Sequence, residues 1–446
     1  MAKAEGQTKM PAAIPKLSLC MIVRNEAANL SGALDSVVSV VDEVVIADTG
    51  STDGGLAIAR ERAHRLIQVP WQDDFSLARN AALESASGDW ILILDADERL
   101  RQGSDKALRQ AISTSDLLAC RLHLFNHLDD NKTNDDYILR LFRRLPELRY
   151  TGRIHEQIVP SIARLQAEQS TWRCINLSDA VIDHFGYRRE ERKKQDKPAR
   201  NIHLLELELA EFPDDPYLCY KLFHELGPDE KGSCYLLRAA DLVMAMPRSE
   251  FSRLAYAAEL LTAATFHSLE NEAFDSALRI ASFANENFPE HPATRLALGL
   301  AMLRNGKPAA ARVEIERALA LEVPPGSFFY DREGYLLTAR IALSEAYRKE
   351  GKIEQALILL IDTQPISPNE ERLAAALLEA YLAAGNPMEA LREGLKRLRA
   401  NPTPRVLMLC ADAAEMLGNQ ESADNWRRKA TGSTTSEEKI TSPDYR

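Results

Sequence analysis

The stretch WILILDADERL, residues 90–100, decides how this chain is read. Five apolar residues, Trp90 to Leu94, run straight into Asp95, Ala96, Asp97 and Glu98. A short apolar run of this kind reads as a strand buried on both faces. Three carboxylates within four residues repel one another, so the strand must end against a positive group or in water. Side chains two apart on a strand share a face, which would let Asp95 and Asp97 converge on one object. Their hard oxygens suit Mg²⁺ or Mn²⁺, ions that take a few carboxylates and keep places for water and phosphate. An Asp-x-Asp alone is weak evidence, since solvated loops carry it by chance; its place after a buried strand gives it weight.

Upstream, the same pattern recurs. LSLCMIV (17–23) leads into Arg24, Asn25 and Glu26, and DEVVIA (42–47) leads into Asp48 and the loop DTGSTDGG. Helical stretches separate these runs: ALDSVVSV, LAIARERAHRL and FSLARNAALESASG, with LIQVP a further strand. Strands alternating with helices predict a mostly parallel α/β sheet. Ligands of such sheets gather beyond the carboxyl ends of the strands. Three polar endings on one edge therefore mark a site.

From about residue 200 the chain turns to alanine- and leucine-rich helices. Tyr347, Gly351, Ala356 and Pro368 recur as Tyr381, Gly385, Ala390 and Pro402, each 34 residues on. Gly306 with Ala311, and Ala277 with Pro289, are fainter copies, and LEVPPGSFFYDREG (321–334) interrupts the register. The period and its residues resemble the tetratricopeptide repeat, which implies an all-α solenoid of stacked helix pairs.

Composition narrows the function classes. The 446 residues are 45% apolar and carry 55 basic against 66 acidic side chains, a net charge of −11. That balance does not suit a nucleic-acid binder. No apolar run approaches the roughly 18 residues of a membrane span, and the first 16 residues lack the apolar core of a signal peptide. Six scattered cysteines without a CxxC spacing suggest a reducing, cytoplasmic compartment.

Together, LSLCMIVRNEAANL, VVIADTGSTDGG and WILILDADE resemble the nucleotide-sugar domain of family 2 glycosyltransferases, the GT-A fold. WQDDFSLARNAALESASGDW, LRLFRRLPELRYTGRIHEQI (139–158) and VIDHFGYRRE (181–190) resemble the segments of the subset fused to tetratricopeptide repeats. Peptide S-glycosyltransferases of the sublancin type and lipopolysaccharide-core transferases share this neighbourhood. The resemblance implies four parts: a flexible tail (1–16), the glycosyltransferase domain (17–195), the repeats (196–432) and a second flexible tail (433–446).

It also implies roles. A nucleoside diphosphate sugar, expected to be UDP-linked, would meet Asp48 at its base or ribose, with Arg24 and Glu26 framing the nucleoside. Asp95 would lie on the ribose side and Asp97 would bind Mg²⁺ or Mn²⁺, with His184 completing the metal shell. Most relatives carry DDGS where this chain has DTGS, so Thr49 replaces a second acid. Arg79 would face the phosphate or sugar, or else pair on a helix surface. Gly152 would let the backbone approach the sugar. Glu156, beside His155, is the expected base of an inverting transfer, or else a structural partner of Arg153 or His155; Asp183 and Asp136 are next in line. Asp53 reads as a helix N-cap. The basic run RREERKKQDKPAR (188–200) reads as a solvated connecting helix or a phosphate contact. The expected acceptor is a polypeptide or glycan held by the repeats, which also offer a surface for self-association. The competing classes are a nucleotidyltransferase and a non-catalytic repeat scaffold.

Overall fold

The computed structural model describes residues 14–127, 133–186, 197–251, 254–322, 332–365, 370–400 and 402–431. Most of the two tails, residues 188–196 of the basic run and most of the 321–334 interruption lie outside the described residues. The chain divides into two compact units, with the break between Leu226 and Gly227.

The first unit is built on one eight-stranded sheet: β1 (Leu17–Val23), β2 (Glu43–Asp48), β3 (Arg65–Gln68), β4 (Trp90–Ile93), β5 (Glu98–Leu100), β6 (Leu117–His127), β7 (Thr133–Arg143) and β8 (Arg173–His184). Their spatial order is β3-β2-β1-β4-β7-β6-β8-β5. The first four strands in that order run parallel. The rest is mixed: β7 is antiparallel to both β4 and β6, β6 and β8 are parallel, and β5 is antiparallel to β8. Helices α1 (Ala27–Val37), α2 (Gly55–Arg62), α3 (Phe75–Ser85), α4 (Asp105–Ile112) and α5 (Val159–Glu168) cover the sheet.

Alternation explains why the central strands read as continuous apolar runs. Leu17, Leu19, Met21, Ile46, Trp90 and Leu92 enter one core. Their neighbours Cys20, Val45, Ala47, Ile91 and Ile93 enter the other. Register then levels the strand ends: Val23 lies opposite Asp48, and Cys20 opposite Ile93.

The expectation that Asp95 and Asp97 share one strand face is corrected. β4 stops at Ile93 and β5 starts at Glu98, so both aspartates occupy a turn. Glu98 N donates to the Asp95 carbonyl and Asp95 N donates to Glu98 Oε2, closing it. In a flat sheet β4 and β5 would stand four spacings, about 19 Å, apart, more than the roughly 17 Å that five residue steps reach. The sheet must curl, and the acidic turn is the strap across the curl.

Two further helices, α6 (Lys197–Glu211) and α7 (Pro216–Leu226), belong to this unit. Sequence periodicity groups them with the repeats, but their contacts reach back. Glu208 on α6 accepts from Arg153 N, and Arg153 pairs with Glu211.

The second unit opens with Glu230–Ala245 and a short Arg248–Phe251 turn, then continues as helix pairs: 257–270 with 274–287, 292–304 with 308–320, 332–349 with 353–363, 371–383 with 387–400, and 404–416 with 420–430. Each pair turns at a residue with positive φ: Glu272, Gly306, Gly351, Gly385 and Gly418. After each glycine, the next N–H reaches back to the carbonyl five residues earlier, as in Lys307 N to Met302 O and Lys352 N to Tyr347 O, the Schellman ending of a helix. Five residues beyond every turn stands a fully buried alanine: Ala277, Ala311, Ala356, Ala390 and Ala423. The first repeat was faint in the sequence because Glu272 (φ 58°) occupies its glycine place. No described helix is long and apolar enough to cross a membrane.

A left-handed conformation costs a non-glycine residue about 1–2 kcal/mol, partly offset by the greater freedom glycine gains on unfolding. Glu272→Gly is therefore expected to stabilise the solenoid by about 0.5–1 kcal/mol, read as a raised urea midpoint at unchanged slope.

Candidate active site

Loops after β1 and β2 are stitched to each other before any ligand arrives. Asn25, with φ 57° that asparagine tolerates, accepts from Thr52 N at 2.8 Å and donates its own N–H to Ser51 Oγ at 3.0 Å. Asp53 is not the cap of α2: Gly54 holds that place. Instead its two oxygens accept from Gly55 N and Ala27 N, both at 2.9 Å, tying the first residues of α2 and α1 together. Asp48 is buried, and its Oδ1 accepts from Gly50 N and Ser51 N at 3.0 Å. Its Oδ2 is buried, with no partner among the described residues. A buried acceptor left empty is costly, and a donor N–H or O–H would satisfy it. Thr49 spends its hydroxyl on the Val23 carbonyl.

At the acidic turn, the positive partners are arginines. Arg79 of α3 sends Nη2 to Asp95 Oδ1 at 2.7 Å and Nε to Glu156 Oε1 at 2.8 Å. Arg140 of β7 reaches Asp95 Oδ2 at 2.8 Å and Glu98 Oε1 at 2.5 Å. The helix-surface alternative for Arg79 fails because its side chain is only 8% exposed. A third of Asp95 faces solvent, yet both its oxygens are engaged. Burial alone would raise its pKa, but Arg79 and Arg140 override that and hold it well below the usual carboxylate range. Glu98 goes the other way, raised by burial and by Asp95 despite Arg140. Sequence reasoning missed Arg140; its only signal was a single arginine between the apolar residues of YILRLF (137–142).

Asp97 turns elsewhere. Its Oδ2 lies 3.6 Å from His184 Nε2, because β5 pairs with β8 and sets Glu98 opposite His184. His184 Nδ1 meets Asn126 Oδ1 at 2.8 Å; that amide oxygen can only accept, so Nδ1 carries the proton. Burial would lower the His184 pKa, but the hydrogen bond and charge of Asp97 raise it. Gly186 packs so tightly that an added Cβ would fall 2.7 Å from His184 Nε2 and closer still to Asp97. Among the described residues no group of three or more His, Cys, Asp or Glu gathers as a metal cage. An oxygen and a nitrogen ligand side by side nevertheless fit an ion whose other positions go to water and phosphate.

The loop carrying His155 and Glu156 is held from two sides. Asn80, next to Arg79 on α3, exchanges a pair of 2.9 Å hydrogen bonds with the Tyr150 backbone. Glu208 of α6 receives Arg153 N from the other side. Gly152 (φ 97°) and His155 (φ 53°) make the sharp bends. Gly152 faces Glu208, whose Oε1 lies 3.5 Å from an added Cβ, and its positive φ makes the bend. Desolvation of the His155 ring, helped by Lys221 and His224 of α7, pushes its pKa down to about 4, although the residue keeps an exposed edge. It is therefore a neutral imidazole at physiological pH.

These parts meet in one cleft of about 370 Å³. Arg24, Glu26, Arg79 and Asp95 line it, as do Asp97, His155, Glu156 and His184. Thr49, Phe75, Arg200 and Asn201 line it too, without having been singled out in this role from the sequence. Asp48, next to Thr49 in the chain, and Gly152 are not among the lining residues. Asp183, a reserve base, is paired with Arg101 and His127. Asp136, the other, caps its own strand neighbour at Tyr137 N.

The Asp95 ion pairs make a stability prediction. With the folded pKa depressed, the contribution is fully present above about pH 5 and is lost as pH falls below the unfolded value of about 3.9. Asp95→Asn should cost about 1.5–3 kcal/mol at pH 7, and the gap to the parent should narrow on acidification. Urea unfolding across pH 3–7 measures both.

Comparison with known proteins agrees with this geometry. Residues 18–191 match the model of glycosyl transferase family 2. A TPR repeat-containing protein of Synechococcus elongatus is 40% identical over 211 residues, 47% of this chain and 52% of that protein. The SPbeta prophage-derived glycosyltransferase SunS of Bacillus subtilis is 25% identical over 232 residues, 50% of this chain and 53% of its own length. The chain thus spans about half the length of these curated relatives. A tetratricopeptide repeat protein from Parabacteroides merdae superposes on 54% of this chain and 88% of its own at 15% identity and a TM-score of 0.40, which adds nothing to the helix pairing itself. Residues 18–191 thus form a domain similar to glycosyl transferase family 2, followed by helix pairs that keep the 34-residue spacing of the tetratricopeptide repeat.

Proposed function

We propose that the chain moves a sugar from a nucleoside diphosphate sugar, UDP-linked, to a polypeptide or glycan acceptor held by the repeats, with inversion at the sugar and with Mg²⁺ or Mn²⁺. The observation that carries this reading is the single cleft in which Asp97, His184 and the Arg79–Glu156 pair meet. Asp97 and His184 would hold the ion. When bound, the metal supplies positive charge against the diphosphate as it leaves.

The chain's own residues supply the rest. The empty Oδ2 of Asp48 accepts an N–H or O–H of the nucleoside. Glu156 has Oε1 held by Arg79, which leaves Oε2 to take the acceptor's proton. As that proton moves, the acceptor atom bonds to the anomeric carbon and the carbon–oxygen bond to the diphosphate breaks. A covalent route would need a free carboxylate nucleophile. Asp95, clamped by two arginines, does not offer one. A cytoplasmic setting agrees with six free cysteines.

Screening nucleotide sugars for metal-dependent hydrolysis, followed by chromatography of the released nucleotide, tests the reading. Asp97→Ala should abolish both turnover and the metal requirement for nucleotide binding. If that variant matched the parent rate with chelator present, the metal assignment would be dead. Glu156→Gln should keep donor binding and lower transfer about 10²–10⁴-fold. Near-normal transfer at saturating acceptor would move the base to another group.

A further inference from the structure

The cleft has a positive side that the steps above leave unused. Arg24 follows β1 directly, and Arg200 sits in the first turn of α6, nine residues beyond the segment matched by the family model. Both line the cleft. The Arg200 guanidinium lies over the Phe75 ring, with Cζ 5.1 Å from the centroid, and its Nη2 donates to Asn201 Oδ1 at 3.0 Å. Its Nε is buried, with no partner among the described residues. Arg24 is exposed, and among the described residues no carboxylate pairs with it. Burial first, and then the charge of Arg24, lower the Arg200 pKa; Glu225, which accepts from Asn201, offsets this only in part.

The contrast with Arg79 and Arg140 is informative. Those two are neutralised by acids, whereas Arg24 and Arg200 repel one another across a concave wall. Two like charges lining one cleft are costly unless an anion comes between them. The anion that the cleft is built to receive is the one with the most oxygens to place.

We propose that Arg24 and Arg200 form a seat for the diphosphate of the nucleotide donor, gripping phosphate oxygens independently of the metal. This rests on the glycosyl-transfer reading. It adds a helix from outside the family segment to the donor site. Arg200 is fixed in plane by Phe75, which suits bidentate contact with phosphate. The seat is also mechanically tied to the reaction: Glu208 and Glu211 on the same α6 hold the loop that carries Glu156. One rigid element thus refers the leaving group and the base to each other.

Calorimetric titration of the full-length protein tests this, with inorganic pyrophosphate, UDP and uridine as probes, in chelator and in Mn²⁺. Pyrophosphate and UDP should bind in chelator. Arg24→Gln and Arg200→Gln should each weaken both about tenfold or more, the effect of losing a charge-assisted hydrogen bond. Uridine binding should be unchanged, and Arg200→Lys should recover part of the loss. If both variants bind pyrophosphate and UDP like the parent, the seat is overturned while the transferase reading stands. A parent protein that binds no nucleoside diphosphate at all would remove that reading as well. Were Arg200 merely a cover for Phe75, Arg200→Gln would lower the melting temperature and leave pyrophosphate affinity intact, which also overturns the seat. Arg24 is exposed, so its variant folds and reports even if an Arg200 variant does not.

Discussion

Everything at the cleft depends on burying the Arg79 guanidinium. A buried cation without compensation would cost several kcal/mol, so its surroundings must deliver acids to it. They come from two distant segments: Asp95 from the turn after β4, and Glu156 from the loop after β7. Arg140 then balances the remaining charge of Asp95 and Glu98. The network fixes where the turn and the loop stand relative to α3. One Arg79 proton-bearing nitrogen, Nη1, is buried with no partner among the described residues, so the network still has room for one more acceptor.

The two aspartates of the turn have therefore parted company. Asp95 is a structural anion whose oxygens are spent on arginine, and Asp97 looks across to His184. Their separation assigns scaffold and chemistry to neighbouring residues. Asn126 fixes the proton on His184 Nδ1, and Gly186 makes room for the ring to approach Asp97. Neither could be replaced casually: a side chain at Gly186 would enter the space between the two candidate ligands.

Much of this was legible in the sequence. Apolar runs ending in Arg24, Asp48 and Asp95 gave the parallel half of the sheet, because strands buried on both faces leave continuous hydrophobic signatures. The 34-residue spacing gave the repeats, because each glycine marks a left-handed turn. What escaped is what depends on distant pairing. The β6–β7 hairpin and β8 make the sheet mixed, yet no local pattern tells a strand its partner. Arg140 hides in an apolar strand, and its meaning appears only once β7 lies beside β4. α6 has the periodicity of any repeat helix; only Arg200, Glu208 and Glu211 reveal that it serves the catalytic unit.

The strap formed by the acidic turn has a consequence for the order of folding. β5 is an edge strand whose sole neighbour is β8, which begins 73 residues after β5 ends. Pairing at that separation must await loop closure, which makes such contacts late and slow relative to local ones. The parallel strands β1 to β4 can assemble first, leaving Asp97 at a loose end until β8 delivers His184. During synthesis on the ribosome, the candidate metal site would thus be among the last features of the first unit to appear. A nascent chain ending before β8 would present Asp97 without His184, its neighbour across the finished sheet.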